Sequence, residues 1–183
     1  MNSTNNKIYQ KLDRVVLVNA DDEVIGSENV IETHKGLGKL HRACSVFLFN
    51  ATGEVLIQKR SKKKIVAANQ WANTACGNVR LGESYLDCAK RRLKEELGIE
   101  GVGLSKVGKF QYQVSFDNGF SENEIDTVFV GDFKGELKPN PDEVSEVGWI
   151  QFKQLLTAAS NFAPWVSIIL SQKNIKQNLA NYA

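Results

Sequence analysis

The sequence predicts an α+β fold: a mixed β-sheet packed between helices. Three observations carry this expectation. Short apolar runs alternate with turn signals over most of the chain. One helix, from Ser84 to Gly98, shows both a start and a stop signal. A second stretch of helical period follows Pro164 near the end.

Each element has a local reason. Residues 1–12 are polar and read as a tail, with residues 13–183 as a single domain. Val15–Asn19 and Glu23–Gly26 flank Ala20-Asp21-Asp22, the pattern of a short hairpin. Residues 30–40 show no period and read as a loop. Cys44–Phe49 and Glu54–Lys59 surround Asn50-Ala51-Thr52-Gly53, a stronger hairpin signal. Arg60–Lys64 reads as an exposed basic loop, and residues 71–78 as short and mixed. Ser84 followed by Asp87 is a capping-box variant; Leu86, Ala89, Leu93 and Leu97 share a helix face, and Gly98 ends it. Phe110–Phe116 and Ile125–Phe133 read as strands around Asp117-Asn118-Gly119. Pro139 and Pro141 mark a turn before the strand Val147–Ile150. Phe152–Ala158 and Trp165–Lys176 read as helices, the second with Pro164 in its first turn.

Composition narrows the function. The 183 residues carry 23 Lys+Arg against 21 Asp+Glu, a net charge of +2, with 42% apolar and 24% charged residues. Disorder and fibrous folds are excluded. So is a dedicated nucleic-acid binder, which needs a strong basic footprint. No apolar run spans a membrane. The polar N-terminus and three unpaired cysteines (Cys44, Cys76, Cys88) predict a cytoplasmic protein with reduced thiols, a monomer or weak homodimer.

The sharpest pattern runs from Gly77 to Ile99. Gly77 is followed by Glu83, then by Arg91-Arg92-Leu93-Lys94-Glu95-Glu96-Leu97-Gly98-Ile99. This resembles the Nudix box, a loop–helix–loop whose carboxylates hold Mg²⁺ against a diphosphate, and implies the Nudix fold. One position departs: Arg92 stands where the box has a Glu. Arg92 and Glu96 lie one turn apart. Taken alone they read as an ion pair on a solvated face. Within the box, Glu96 is expected to hold Mg²⁺ while Arg92 grips a phosphate oxygen.

Further pieces point to one branch. Asn73-Thr74-Ala75-Cys76-Gly77, His34 with His41, Tyr112, Glu122-Asn123-Glu124 and Pro164-Trp165 resemble type I isopentenyl-diphosphate isomerases over roughly residues 14–170. That family interconverts isopentenyl and dimethylallyl diphosphate, homoallylic and allylic isomers, by adding a proton on one side and removing one on the other. The resemblance implies that Cys76 and Glu124 move the protons. Tyr112 assists Glu124, and Trp165 lies over the developing cation, a contact worth about 2 kcal/mol when desolvated. Without the resemblance, a free Cys or a lone Trp reads as core, and two Glu at a spacing of two as a solvated strand face.

It also implies a divalent metal, Mn²⁺, Mg²⁺ or Zn²⁺, on His34, His41, Glu122 and Glu124. The family's third His falls on Asn78, whose amide oxygen is a poorer ligand for first-row metals. A family Lys falls on Val30. The remaining diphosphate ligands are Arg60, Lys64 and Arg92, with Mg²⁺ held through Glu96. Two other functions stay open: a Nudix hydrolase, favoured by Glu83, Glu95 and Glu96, and a non-catalytic diphosphate-binding protein, motivated by Asn78 and Val30.

Overall fold

The computed structural model describes residues 14–183; the expected polar tail lies outside them. Among the described residues nine strands form one mixed sheet: β1 (Arg14–Val18), β2 (Val24–Asn29), β3 (His41–Phe49), β4 (Glu54–Arg60), β5 (Trp71–Ala72), β6 (Ala75–Asn78), β7 (Ser105–Ser115), β8 (Ser121–Asp132) and β9 (Val144–Gln151). Among the described residues five α-helices accompany it: α1 (Val30–His34), α2 (Tyr85–Leu97), α3 (Phe152–Ala158), α4 (Pro164–Ser171) and α5 (Lys173–Ala180), with a 3-10 turn at Ala159–Asn161.

β3 is the spine. It pairs along its whole length with β8, in parallel, from His41↔Glu124 to Phe49↔Asp132. A strand has two edges, so β1, β6 and β4 share the other one in turn. β3 is also buried on both faces, with alternate residues entering different cores. Phe47 and Phe49 join Trp165, Val166, Ile169, Ile175 and Leu179 beneath α4 and α5. Cys44, Val46 and Leu48 join Cys88, Leu93 and Leu97 beneath α2. Burying a Leu such as Leu93 or Leu97 contributes roughly 1.5–3 kcal/mol. The sheet therefore lies between helices, as the sequence predicts.

The capping box of α2 is present in full, with the Ser84 side chain accepting from Asp87 N and Asp87 returning the bond. Gly98 closes the helix at φ 68°, a left-handed position that suits Gly. Other elements differ from expectation. Residues 30–34 form one helical turn, capped by Asn29 Oδ1 on Ile31 N at 2.9 Å; five residues are too few to show a period. The predicted helix Trp165–Lys176 is two helices. Gln172 leaves helical geometry between them (φ −73°, ψ 103°), and α5 turns so that Ile175 and Leu179 reach the core against β7. Residues 71–78 are the strands β5 and β6. β7 starts at Ser105, earlier than expected; its first residues are largely polar or exposed and so carry no apolar signal in the sequence. No helix among the described residues is long and apolar enough to cross a membrane.

Candidate active site

The register of β3 against β8 places His41 beside Glu124, and β8 alternation sets Glu122 on the same face. His34, the last residue of α1, completes the group. One ligand atom from each of His34, His41, Glu122 and Glu124 lies within 4.8 Å of the others, and all four residues are buried.

Hydrogen bonding orients both rings. His34 Nδ1 lies 2.6 Å from Val30 O, and His41 Nδ1 lies 2.8 Å from Lys39 O. Each Nδ1–H is thereby committed to a carbonyl, so each Nε2 turns toward oxygen. His34 Nε2 is 2.9 Å from Glu122 Oε2. His41 Nε2 is 3.5 Å from Glu124 Oε1 and 3.3 Å from Asn78 Oδ1. Imidazole nitrogens aimed at carboxylate and amide oxygens are a donor set that a divalent cation satisfies. The residues present fit such a metal, and Asn78 stands at its edge.

Electrostatics divide the group. Burial pushes His41 down to about 4, helped by His34, so its ring is neutral. Burial also works against a charged His34, but the hydrogen bond and charge of Glu122 outweigh it and raise His34. Glu122 falls to about 2, because His34 overcomes the opposing effect of burial. Glu124 goes the other way: burial, then the charges of Glu122 and Asp126, push it well up. The proton affinities of the two neighbouring carboxylates are thus pushed in opposite directions. Tyr112 donates its hydroxyl to Glu124 Oε2 at 2.7 Å.

Cys76 enters from β6, opposite Ser45 of β3. Burial raises its thiol to about 12 despite Arg60, so it carries its proton at neutral pH. Arg60 Nη1 lies 3.5 Å from its Sγ. Trp165, at the start of α4, is anchored by Nε1 donating to Asn73 Oδ1 at 3.0 Å. A cavity of about 240 Å³ is lined by Cys76, Tyr112, Glu124, Trp165, His34, Glu122, Asn78, Arg60, Lys64 and Arg92 together. His41 is fully buried behind this lining.

The cations are more engaged than expected. Arg60 is not on an exposed loop. It ends β4, is 5% exposed, donates twice to Val66 O, and has its guanidinium carbon 4.9 Å from the Trp165 ring centroid. Strand pairing and the ring pull it inward. Nor is the Arg92–Glu96 pair on a solvated face, since Glu96 is 2% exposed. Arg92 contacts Glu95, Glu96 and Glu143 at 2.7 Å each and donates to Cys76 O at 3.1 Å. Glu96 also accepts from Gln58 and lies outside the cavity lining. Gly77 is required here: a Cβ would meet Arg92 Cδ at 2.7 Å. Lys64 lines the cavity and pairs with Glu143 at 2.6 Å. Arg91 and Glu83 bind each other at 2.5 Å and pin the loop to α2.

Three residues escaped the sequence reading. Glu143 sits in the turn marked by Pro139 and Pro141 and lines the cavity. Asp126 extends the same-face series of Glu122 and Glu124, accepts from Ser45 Oγ at 2.8 Å, and keeps its other oxygen buried without a hydrogen bond. Ser45 lines the cavity. The alternation on β8 is the signal that reaches Asp126; nothing local marks Glu143.

The NUDIX domain model matches residues 39–170. The isopentenyl-diphosphate Delta-isomerase of Serratia proteamaculans (strain 568) is 40% identical over 141 residues, 77% of this chain and 78% of that protein. Isopentenyl-diphosphate Delta-isomerase 2 of Photorhabdus laumondii is 40% identical over 161 residues, 88% and 89% of the two chains. Among solved structures, DR0079 from Deinococcus radiodurans superposes with a TM-score of 0.67 at 24% identity, covering 82% of this chain and 91% of that one; this likeness speaks to the fold. Matched over most of its length by a domain model and by relatives of one kind, the chain belongs to the NUDIX domain family and, within it, to the isopentenyl-diphosphate Delta-isomerases.

Proposed function

We propose that this protein converts isopentenyl diphosphate to dimethylallyl diphosphate, with Cys76 and Glu124 as the two proton-transfer residues. The observation that carries this reading is their meeting in one cavity. They come from β6 and β8, strands on opposite edges of β3; burial keeps the proton on Cys76, and Glu124 is the partner carboxylate. One adds a proton to the terminal methylene carbon, leaving positive charge at the tertiary carbon. The other takes a proton from the methylene on the far side, and the double bond moves. Each turnover exchanges the protonation of the two groups, so the proton balance closes. Tyr112 holds the Glu124 carboxyl in place. The Trp165 ring supplies an electron-rich face to the cationic state.

His34, His41, Glu122 and Glu124 would hold a divalent metal, Mn²⁺, Mg²⁺ or Zn²⁺, with Asn78 beside it. When bound, it supplies positive charge that fixes and polarises the two carboxylates. Arg60, Lys64 and Arg92 would receive the diphosphate, with Glu96 serving its Mg²⁺. This chemistry, with three free cysteines, fits a cytoplasmic enzyme of small diphosphates, working as a monomer or weak homodimer. The hydrolase reading is disfavoured, because Arg92 replaces one box carboxylate and pairs with another, Glu95.

The test is incubation of metal-loaded protein with isopentenyl diphosphate in D₂O. Dimethylallyl diphosphate with deuterium incorporated is the expected product. No isomerisation with any of Mg²⁺, Mn²⁺ and Zn²⁺ would sink the proposal, and release of phosphate or pyrophosphate would replace it with hydrolysis.

A further inference from the structure

The cationic side of the cavity already holds an anion, and it belongs to the protein. Glu143 Oε2 lies 2.6 Å from Lys64 Nζ and 2.7 Å from Arg92 Nη2. This is a bridging position between two cations, the kind a phosphate oxygen takes. The same Arg92 nitrogen is 2.7 Å from Glu96 Oε1, and its Nη1 is 2.7 Å from Glu95 Oε2. Of these three carboxylates Glu143 lines the cavity, while Glu95 also pairs with Arg91 at 3.0 Å and with Arg80 at 3.3 Å.

Glu143 is held there by backbone bonds at both flanks. Lys138 N donates to Leu97 O at 2.8 Å and Asn140 N to Glu96 O at 2.9 Å, fixing the turn to the end of α2. Glu143 N donates to Asn140 O, and Ser61 N donates to Glu143 O, both at 2.9 Å. The carboxylate stays ionised at neutral pH: burial would raise it, but Lys64 and Arg92 hold it down at about 2.

A bare diphosphate reaching Lys64 and Arg92 finds both already paired with Glu143, whose carboxylate repels it. A diphosphate that brings a divalent cation meets the opposite situation. Its own charge is reduced, and the Glu143 carboxylate released by Arg92 and Lys64 faces the cation it carries.

We propose that Glu143 is a specificity-determining residue that makes the cavity select metal-complexed diphosphates over bare ones, by occupying Lys64 and Arg92 until a cation arrives with the anion. This rests on the reading that Lys64 and Arg92 receive the substrate diphosphate.

Titration calorimetry with inorganic pyrophosphate, in EDTA and in excess Mg²⁺, reads the selection directly. For the wild type the Mg²⁺ complex binds more tightly than bare pyrophosphate. Glu143→Gln is expected to tighten bare pyrophosphate at least tenfold while changing the Mg²⁺ complex less than threefold, so the ratio collapses. Glu143→Asp keeps the charge and is expected to retain most of the ratio, which guards against a folding defect in the first variant. Glu146→Gln makes the same charge change at the exposed partner of Lys59, and its ratio is expected to stay at the wild-type value. An unchanged ratio in Glu143→Gln, or equal weakening of both ligands, overturns the proposal. So does an equal change in Glu146→Gln, which would mean net charge alone. Wild-type turnover of isopentenyl diphosphate, measured in parallel, separates the two failures. Its absence strikes the proposed function, whereas an unchanged ratio with turnover intact strikes only the role of Glu143.

Discussion

The amide oxygen of Asn78 stands 3.3 Å from Nε2 of His41, whose Nδ1 is committed to Lys39 O. With Nδ1 so committed, Nε2 and the amide oxygen can both act as ligands, and a divalent cation held by this group would satisfy both. Asn78→His replaces a neutral oxygen by an imidazole at the same place, and imidazole is the better ligand for Mn²⁺ or Zn²⁺. The variant is expected to bind these metals roughly tenfold more tightly. A metal titration with no change would place Asn78 outside the ligand set.

Cys76 and Glu124 are expected to be needed for turnover and not for binding. General acid–base groups typically contribute about 10²–10⁴-fold in rate. Cys76→Ala and Glu124→Gln should each lose turnover on that scale, while pyrophosphate affinity stays within about threefold in calorimetry. A variant that turns over normally but has lost pyrophosphate affinity would contradict these roles.

Trp165 carries two separable contributions. Its Nε1–H bonds to Asn73 Oδ1, and its ring lies beneath Arg60 and borders the cavity. Trp165→Phe keeps an aromatic face but removes the buried hydrogen bond, a loss of about 1–3 kcal/mol in stability. Trp165→Ala removes the face as well. Thermal melts are expected to show destabilisation in both, and turnover is expected to fall about tenfold further in Ala than in Phe. Equal turnover in the two would remove the ring from the chemistry.

Asp126 links pH to stability in the metal-free protein. Burial raises its carboxyl from the ordinary 3.8 to about 7, with Glu122 adding to the rise and Ser45 opposing it. The folded state then binds a proton that the unfolded state has released, so this group's contribution falls as pH climbs from about 4 to 7. Asp126→Asn cannot titrate. Melts in EDTA from pH 4 to 8 are expected to decline less steeply for the variant, with a difference on the order of 1–3 kcal/mol across the window. Parallel profiles would show that Asp126 does not titrate there.

The sequence was most legible where chemistry is local or spaced by a regular period. The Ser84–Asp87 capping box, the face of α2 and the Gly98 stop follow from neighbours within a few turns. His34, His41, Glu122 and Glu124 could be named through a resemblance, but their convergence depends on pairing β3 with β8. Arg60 misled because its basic neighbours suggest a solvated loop, whereas strand pairing and Trp165 draw it inward. Glu143 was invisible for the same reason: its partners Lys64 and Arg92 lie 79 and 51 residues away. Short helices such as α1, and the break at Gln172, are set by packing and leave no periodic trace.

The parallel union of β3 with β8 has a consequence for how the molecule comes into being. His41 and Glu124 meet only after a loop of more than 80 residues has closed, and pairings of that span form late and slowly. The hairpin β7–β8 and the helix α2 can assemble from nearby chain. The ligand group, shared between α1, β3 and β8, cannot. Acquisition of a tight metal signal during refolding therefore reports closure of the β3–β8 pairing, and a newly made chain has no complete nest for the ion until that pairing is finished.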